Sequence, residues 1–143
     1  MKKIRHTGIV VVNLKKMRTF YESFFDLRLC SDTVEDAGFI AQLLGNRQTM
    51  LRTVKLSAPD GSMVELLKFR GPRKSGKPKN PRQQGITHIA ITVDDVDLLF
   101  KNMKSKGVSF LSKPLISPDR RARVCFCLDP EGNYLELVEV LKP

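Results

Sequence analysis

Apolar residues along the chain follow two spacings, one typical of strands and one typical of helices. Residues 4–12 read IRHTGIVVV, a run rich in β-branched residues that predicts a strand. Asn13 can cap a helix, and apolar residues then recur at helical spacing from Leu14 to about Phe25. A second strand is predicted over 27–34. Residues 36–45 form a short apolar stretch whose type the pattern leaves open.

A hairpin completes the first half of the chain. The segments LRTVKLSA and MVELLKF are apolar enough for strands, and a PDGS turn separates them. The first half therefore reads βαβββ. Residues 70–85, RGPRKSGKPKNPRQQG, contain almost no apolar residue and predict a linker. We expect a first module over 1–70, a basic Pro/Gly linker over 71–85 and a second module over 86–143.

The order of elements restarts after the linker. GITHIAITV predicts a strand, and Asp94 or Asp95 can cap a helix that runs to about Lys106 and ends at Gly107. VSFLS and ARVCFCLD predict two strands, and a PEGN turn leads into a last strand, YLELVEV. The second half also reads βαβββ, so the predicted fold class is α+β with two tandem modules.

The two halves repeat more than the order of their elements. PDGSMVELL in the first half aligns with PEGNYLELV in the second, which places Glu65 under Glu136. The first strands align as well, with His6 in the position of His88. Side chains alternate across a strand, so His88 lies on the face opposite Ile89 and away from the predicted helix layer.

Four residues therefore form a doubled set of candidate ligands: His6, Glu65, His88 and Glu136. A single strand histidine is usually a hydrogen-bonded structural residue, and a single strand glutamate is usually solvated. Recurrence of the same pair at matched positions favours a functional site, and the chain has only these two histidines. Two nitrogens and two oxygens suit one divalent Zn, Ni, Co, Mn or Fe ion. An octahedral ion would keep two positions for water or substrate.

Charge and cysteine content change this picture little. The net charge is +10, and basic residues concentrate in the linker and at Arg120, Arg121 and Arg123. The linker cluster consists of Arg70, Arg73, Lys74, Lys77, Lys79 and Arg82. A solvated surface is the simplest interpretation of these basic residues, an anionic small-molecule ligand comes next, and no nucleic-acid motif is present.

Cys125 and Cys127 would share one strand face, as soft metal ligands or, more simply, as buried reduced thiols.

The start MKKIRHTGIVVVNL has basic residues before a short apolar run, but it lacks a small-residue cleavage site. There is no apolar run long enough to span a bilayer. From these features we expect a cytoplasmic protein without a membrane partner.

The sequence resembles the vicinal oxygen chelate superfamily, which includes glyoxalase I, methylmalonyl-CoA epimerase, fosfomycin-resistance proteins and extradiol dioxygenases. The resemblance rests on HTGIVVVNLKKMRTFYE, GITHIAITVDDVD and DPEGNYLELVEV. It implies two βαβββ modules that curl around a metal cleft, with His6, Glu65, His88 and Glu136 as ligands. We also expect a homodimer, because one helix covers only half of each sheet and the concave sheet face needs a partner module, which lies within the same chain or in a second one.

The His-Glu-His-Glu set is most similar to that of glyoxalase I. The resemblance therefore implies a lyase or isomerase that moves a proton next to a metal-bound carbonyl, with Glu136 as the base and Glu65 as a ligand and second candidate base. Glyoxalases specific for glutathione adducts usually carry an arginine and an asparagine where this chain has Val10 and Phe69. The expected substrate is another small, anionic molecule. The alternatives are a ring-cleaving dioxygenase and a non-catalytic binding or resistance protein.

Overall fold

The structure is a computed structural model, and it describes residues 2–45, 50–71 and 80–142. The chain divides into two compact units, Met1–Ser75 and Gly76–Pro143. Each unit contains one four-stranded sheet. Of the basic residues predicted to cluster in the linker, Arg73, Lys74, Lys77 and Lys79 lie outside the described residues.

The first unit contains a mixed sheet with two helices. Its elements are β1 Thr7–Val10, α1 Leu14–Phe24, β2 Arg28–Glu35, α2 Ala37–Leu44, β3 Leu51–Ser57 and β4 Met63–Phe69. The strand order is β1-β4-β3-β2. β1 runs parallel to β4, and the other pairs are antiparallel. The first strand of the unit therefore lies directly beside its last strand.

The second unit repeats this arrangement. Its elements are β5 His88–Thr92, α3 Val96–Ser105, β6 Leu115–Ile116, β7 Ala122–Leu128 and β8 Tyr134–Val140. The strand order is β5-β8-β7-β6, and β5 is parallel to β8. Two four-stranded mixed sheets with few helices confirm the predicted α+β fold class.

Local polar signals start the helices where the sequence predicts. Asn13 caps α1, since its Oδ1 accepts a hydrogen bond from the amide of Lys16 at 3.0 Å. Asp95, one of the two predicted candidates, caps α3 by accepting from the amide of Leu98 at 2.8 Å. Residues 36–45, whose type the pattern left open, are helical. Asp36 caps α2 through the amide of Phe39 at 2.7 Å.

The prediction of a strand over residues 108–112 is wrong. Within the described residues, Phe110 forms only an isolated bridge with Cys127. The amide of Val108 still bonds back to the carbonyl of Met103 at 3.1 Å, so this residue completes the end of α3. Pro114 then has no amide to offer a neighbouring strand. The edge strand β6 begins only at Leu115 and is two residues long.

The two predicted turns have the same backbone geometry. Gly61 and Gly132 have φ angles of 84° and 82°, a region that favours glycine because a Cβ would clash there. The amide of Gly61 donates to the carbonyl of Ala58 at 3.0 Å, and the amide of Gly132 donates to the carbonyl of Asp129 at 3.0 Å. The sequence repeat is therefore also a structural repeat, and it sets the register of each hairpin.

Each unit buries its own apolar core. In the first unit, Met17 and Tyr21 of α1 and Leu56 and Leu66 of the sheet are all fully buried. The second unit buries a comparable set of helix and sheet residues, namely Val96, Met103, Leu135 and Leu137. Among the described residues, every helix is too short or too polar to cross a membrane.

The cysteines differ sharply in accessibility. Cys125 and Cys127 are buried free thiols on one face of β7, beside Leu137 and Leu135, whereas Cys30 is an exposed free thiol. Burial raises the pKa of Cys125 to about 11 and that of Cys127 to about 12. This confirms the interpretation of Cys125 and Cys127 as buried reduced thiols.

We predict that the folded protein has one rapidly reacting thiol per chain. The thiolate is the nucleophile, so a pKa of about 12 leaves only about one Cys127 in ten thousand ionised at pH 8. Titration with a disulfide reagent should show a fast phase from Cys30 and a release of the other two thiols only in denaturant. The Cys30→Ser variant should lack the fast phase. Three fast thiols in the native protein would contradict the buried positions.

Candidate functional site

The parallel pairing of β1 with β4 brings His6 to Glu65. Gly8 pairs with Glu65 in the register, and His6 precedes Gly8 by two residues, so the three side-chain positions share one face. His6 Nε2 lies 3.1 Å from Glu65 Oε2. The side chain of Glu65 is only 12% exposed. A carboxylate this well covered needs partners, and the imidazole is one of them.

The second unit places His88 and Glu136 in the same way. Ala90 pairs with Glu136, and His88 precedes Ala90 by two residues. His88 Nε2 lies 3.2 Å from Glu136 Oε2. The structure therefore brings the two predicted residues together within each unit, through equivalent registers and at nearly the same distance.

The candidate side chains lie on the face of each sheet opposite the apolar core. Along β4, Glu65 alternates with the buried residues Val64 and Leu66. Along β8, Glu136 alternates with the fully buried Leu135 and Leu137. The hairpin register places Cys125 beside Leu137, on the core side of β7. The two thiols of β7 therefore do not share a face with Glu136.

The neighbour on the adjacent strand differs between the two sites. In the first unit Lys55 of β3 pairs with Glu65, and its Nζ lies 3.5 Å from Glu65 Oε1. In the second unit the equivalent neighbour of Glu136 is Phe126. The Phe126 ring packs edge-on against the His88 imidazole, with 5.2 Å between centroids. Glu65 thus has a cation at one oxygen and an imidazole at the other, whereas Glu136 has an aromatic ring in place of the cation.

Sequence reasoning missed Lys55 and Phe126, although a signal for both was present. In an antiparallel hairpin, residues equally far from the turn lie opposite each other. Counting outward from the four-residue PDGS and PEGN turns would pair Leu56 with Glu65 and Cys127 with Glu136. Strand alternation argues against that count, because it would put a core residue on the face of each glutamate, and it favours the pairs Lys55–Glu65 and Phe126–Glu136 that the structure has. The repeat drew attention to what the halves share, while these two positions are where they differ.

The second nitrogen of each imidazole also has different surroundings. His88 Nδ1 lies 2.8 Å from the hydroxyl of Thr87, which can donate or accept according to the imidazole tautomer. His6 Nδ1 is buried, and it has no hydrogen-bond partner among the residues that the structure describes. An unpaired buried polar atom is costly, so the His6 environment is less complete than that of His88.

One of the three arginines predicted to attract an anion already has an acidic partner. Arg123 forms an ion pair with Asp97 of α3. The carbonyl of Arg121 accepts a hydrogen bond from the amide of Leu141 at 2.8 Å, and Arg120 has a positive φ of 60° in the turn before β7. The Arg123 guanidinium is therefore paired within the second unit, whereas the contacts of Arg120 and Arg121 described above involve only their backbone.

The geometry of each pair suits metal ligation. Two ligand atoms that bind one ion at right angles, each at about 2.1 Å, lie roughly 3.0 Å apart. The observed His–Glu separations of 3.1 and 3.2 Å are close to this spacing. In the described parts of the chain, no three His, Cys, Asp or Glu side chains form a metal-binding group. Each pair by itself therefore offers two ligands, fewer than the four or more that a divalent ion takes.

Comparisons with known proteins agree with these observations. The lactoylglutathione lyase of Schizosaccharomyces pombe is 29% identical over 95% of this chain, which spans only 47% of that enzyme's length. The uncharacterized protein YaeR of Escherichia coli is 25% identical, with 97% of both chains covered. A crystal structure of a glyoxalase family protein from Bacillus cereus superposes with a TM-score of 0.89 at 21% identity, covering 99% of this chain and 96% of that one.

The likeness to the Bacillus cereus structure shows a shared fold. The family profile described as "Glyoxalase/Bleomycin resistance protein/Dioxygenase superfamily" matches residues 3–137, which include both strand pairs and all four candidate ligands. This match confirms the resemblance found in the sequence. The chain belongs to the Glyoxalase/Bleomycin resistance protein/Dioxygenase superfamily, the vicinal oxygen chelate superfamily.

Proposed function

We propose that this protein is a metal-dependent lyase or isomerase of the glyoxalase I type, acting on a small anionic substrate. The observation that carries the proposal is the doubled His–Glu contact, at 3.1 Å in the first unit and 3.2 Å in the second. We propose that His6, Glu65, His88 and Glu136 ligate one divalent Zn, Ni, Co, Mn or Fe ion. Such an ion would polarise a substrate carbonyl and make the neighbouring C–H bond more acidic.

The roles of the two glutamates follow from their neighbours. Lys55 and His6 hold both oxygens of Glu65, which restricts the side chain and favours a positioning role as a ligand. Glu136 contacts His88 through one oxygen, and its side chain is 25% exposed, compared with 12% for Glu65. A base must reach and release a proton, so the freer carboxylate suits that task better. We therefore propose Glu136 as the base and Glu65 as a ligand.

Two positions bear on the substrate. Val10 at the end of β1 is 64% exposed, and Phe69 at the end of β4 is partly exposed. Neither side chain can pair with the carboxylates of a glutathionyl group as an arginine or an asparagine would. We therefore propose a smaller anionic substrate than a glutathione adduct, although the S. pombe relative carries the name lactoylglutathione lyase.

Each unit supplies two ligands, so a second unit must complete the site. That unit is either the other half of the same chain or the corresponding half of a partner chain. We propose a homodimer, because two copies allow either arrangement to yield two complete sites.

The metal proposal predicts a large effect of removing either carboxylate. Glu65→Gln and Glu136→Gln each keep the side-chain shape but lose a negative charge at the ion, so metal affinity should fall at least tenfold. Chelator competition with elemental analysis of the dialysed protein measures this directly. Asp94→Asn, which removes one exposed carboxylate of the second unit, should retain wild-type affinity.

Mixing two double variants locates the partner unit. His6→Gln with Glu65→Gln removes the first pair, and His88→Gln with Glu136→Gln removes the second. If the pairs meet across chains, mixed dimers regain one tight site for every two chains. If they meet within a chain, mixing restores nothing. Equal metal retention by wild type, Glu65→Gln and Glu136→Gln would show that neither glutamate is a metal ligand.

Lys55 competes with the metal for Glu65, and this predicts a gain of affinity when it is removed. Lys55→Met frees Glu65 Oε1 and removes a nearby positive charge, so metal affinity should rise by about threefold to tenfold. Lys55→Arg keeps the charge and should stay within about twofold of wild type. Lys68→Met is the matched control, because Lys68 lies on the other face of the neighbouring strand. An equal rise in Lys55→Met and Lys68→Met would show a general charge effect.

Proton transfer is the reaction step that tests the proposed chemistry. In D2O, the metal-loaded protein should convert the hemithioacetals of methylglyoxal with solvent deuterium entering the product. We expect the mercaptoacetate adduct to be turned over with a higher kcat/KM than the glutathione adduct. Glu136→Gln should lower kcat at least 100-fold through loss of the base, while Asp94→Asn stays active.

Nuclear magnetic resonance of the product reports the deuterium content. No turnover with either adduct would contradict the proposed lyase activity, and the deuterium content of the product shows how much of the abstracted proton exchanges with solvent before the base returns it. Oxygen consumption with a catechol and Fe(II) would instead identify a ring-cleaving dioxygenase.

A further inference from the structure

The first unit contains a cavity of about 360 Å³ where the start of α1 meets β2, β3 and β4. Its charged lining consists of Lys15, Arg18, Asp32, Arg52 and Lys68. Four cations and one carboxylate give this lining a formal charge of +3. Cavities of this size bind small molecules in other proteins, and a charge of this sign selects for anions.

The negative charge of the single carboxylate, that of Asp32, is already compensated by a neighbouring arginine. Asp32 accepts two hydrogen bonds from the Arg52 guanidinium, at 2.7 and 2.8 Å. These bonds lower the pKa of Asp32, so the carboxylate stays ionised. Its negative charge is balanced by the positive charge of Arg52. Arg18 donates to Glu22 at 2.9 Å on the same helix. Within the described residues, Lys15 and Lys68 have no ion-pair partner, so their charges remain available to a ligand.

The rest of the lining adds no negative charge. Val54 and Leu14 also line the cavity, and they are only 1% and 8% exposed, so little of their apolar surface is accessible to a ligand. Asn13 caps α1, and the first turn of the helix contains no acidic residue. The exposed amides of a helix start carry partial positive charge, which adds to that of Lys15. The accessible lining is therefore mainly the basic side chains, and this suits a small anion.

This cavity is distinct from the His6–Glu65 site. In β4, Lys68 lies three residues after Glu65, so the two side chains point to opposite faces of the sheet. In β3, Val54 and Lys55 are adjacent and also face opposite ways. A ligand in the cavity would therefore lie on the α1 side of the sheet, while Glu65 and Lys55 lie on the other side.

We propose that this cavity binds a small phosphate monoester. The available lysines suit the dianionic phosphate, for which lysine is a common point-charge partner. The volume exceeds that of a phosphate group and leaves space for a short ester substituent. The proposal does not depend on the metal chemistry, because its residues share no side chain with the His–Glu pairs.

Titration of the ¹⁵N-labelled protein with phenyl phosphate at constant ionic strength tests the site. The amides of residues 14–16 and Val54 should shift with a saturable binding curve. Lys15→Gln with Lys68→Gln should weaken binding at least tenfold. The matched control, Lys101→Gln with Lys113→Gln, removes the same charge from exposed positions of the second unit and should change affinity less than twofold. Inorganic phosphate should bind at least threefold more weakly than phenyl phosphate.

Three outcomes would overturn the proposal. Equal weakening in both double variants would show a general attraction to a basic protein. Shifts centred on His6 and Glu65, or on His88 and Glu136, would place the anion at the candidate metal ligands. Equal affinity for inorganic phosphate and phenyl phosphate would show that the ester substituent takes no part in binding.

Discussion

The parallel pairing of the first and last strands in each unit is the constraint on which the candidate site depends. A parallel pair needs a long crossover connection, and here the intervening helix and strands of the unit supply it. The pairing places Gly8 beside Glu65 and Ala90 beside Glu136, so that residues far apart in sequence become neighbours. A shift of one residue in either register would turn the glutamate into the core and a leucine out of it. The buried apolar residues on both sides of each glutamate, Val64 and Leu66 in β4 and Leu135 and Leu137 in β8, therefore also hold the carboxylates in place.

The two units share this register but not the chemistry around it. Lys55 gives Glu65 a cationic neighbour, while Phe126 gives Glu136 an aromatic one. A carboxylate between a lysine and an imidazole is restrained by two charge-assisted contacts. A carboxylate beside a phenyl ring has one such contact and more freedom to move. This difference arises at one position in each hairpin, and it gives the two glutamates different surroundings within a repeated fold.

The two faces of the first sheet carry different charge arrangements. One face presents Glu65 between Lys55 and His6. The other presents Lys15 and Lys68 around a cavity whose single carboxylate is bound to Arg52. Strand alternation separates these arrangements by the thickness of one sheet. The large positive net charge of the chain is therefore not only a solvated surface, since part of it lines a cavity.

The amino-acid sequence by itself determined the features that depend on neighbouring residues. Asn13 and Asp95 start their helices, Gly61 and Gly132 form the turns, and the repeat marks the pairs His6–Glu65 and His88–Glu136. These signals are local because caps, turns and alternation act over a few residues. The secondary structure of two segments could not be predicted from local signals. Residues 36–45 are too short for periodicity to distinguish a helix from a strand. Residues 108–112 have strand-like side chains but no continuous partner strand.

Tertiary structure alone decided which groups meet across the sheet and the helix. The cavity combines α1 with residues of three strands, and no short-range pattern reports such a combination. The distances of 3.1 and 3.2 Å within the His–Glu pairs likewise arise from parallel strand pairing over long sequence separations. The physical reason is that local conformation is set by neighbouring residues, whereas a site is set by the burial of apolar faces that packs distant segments together.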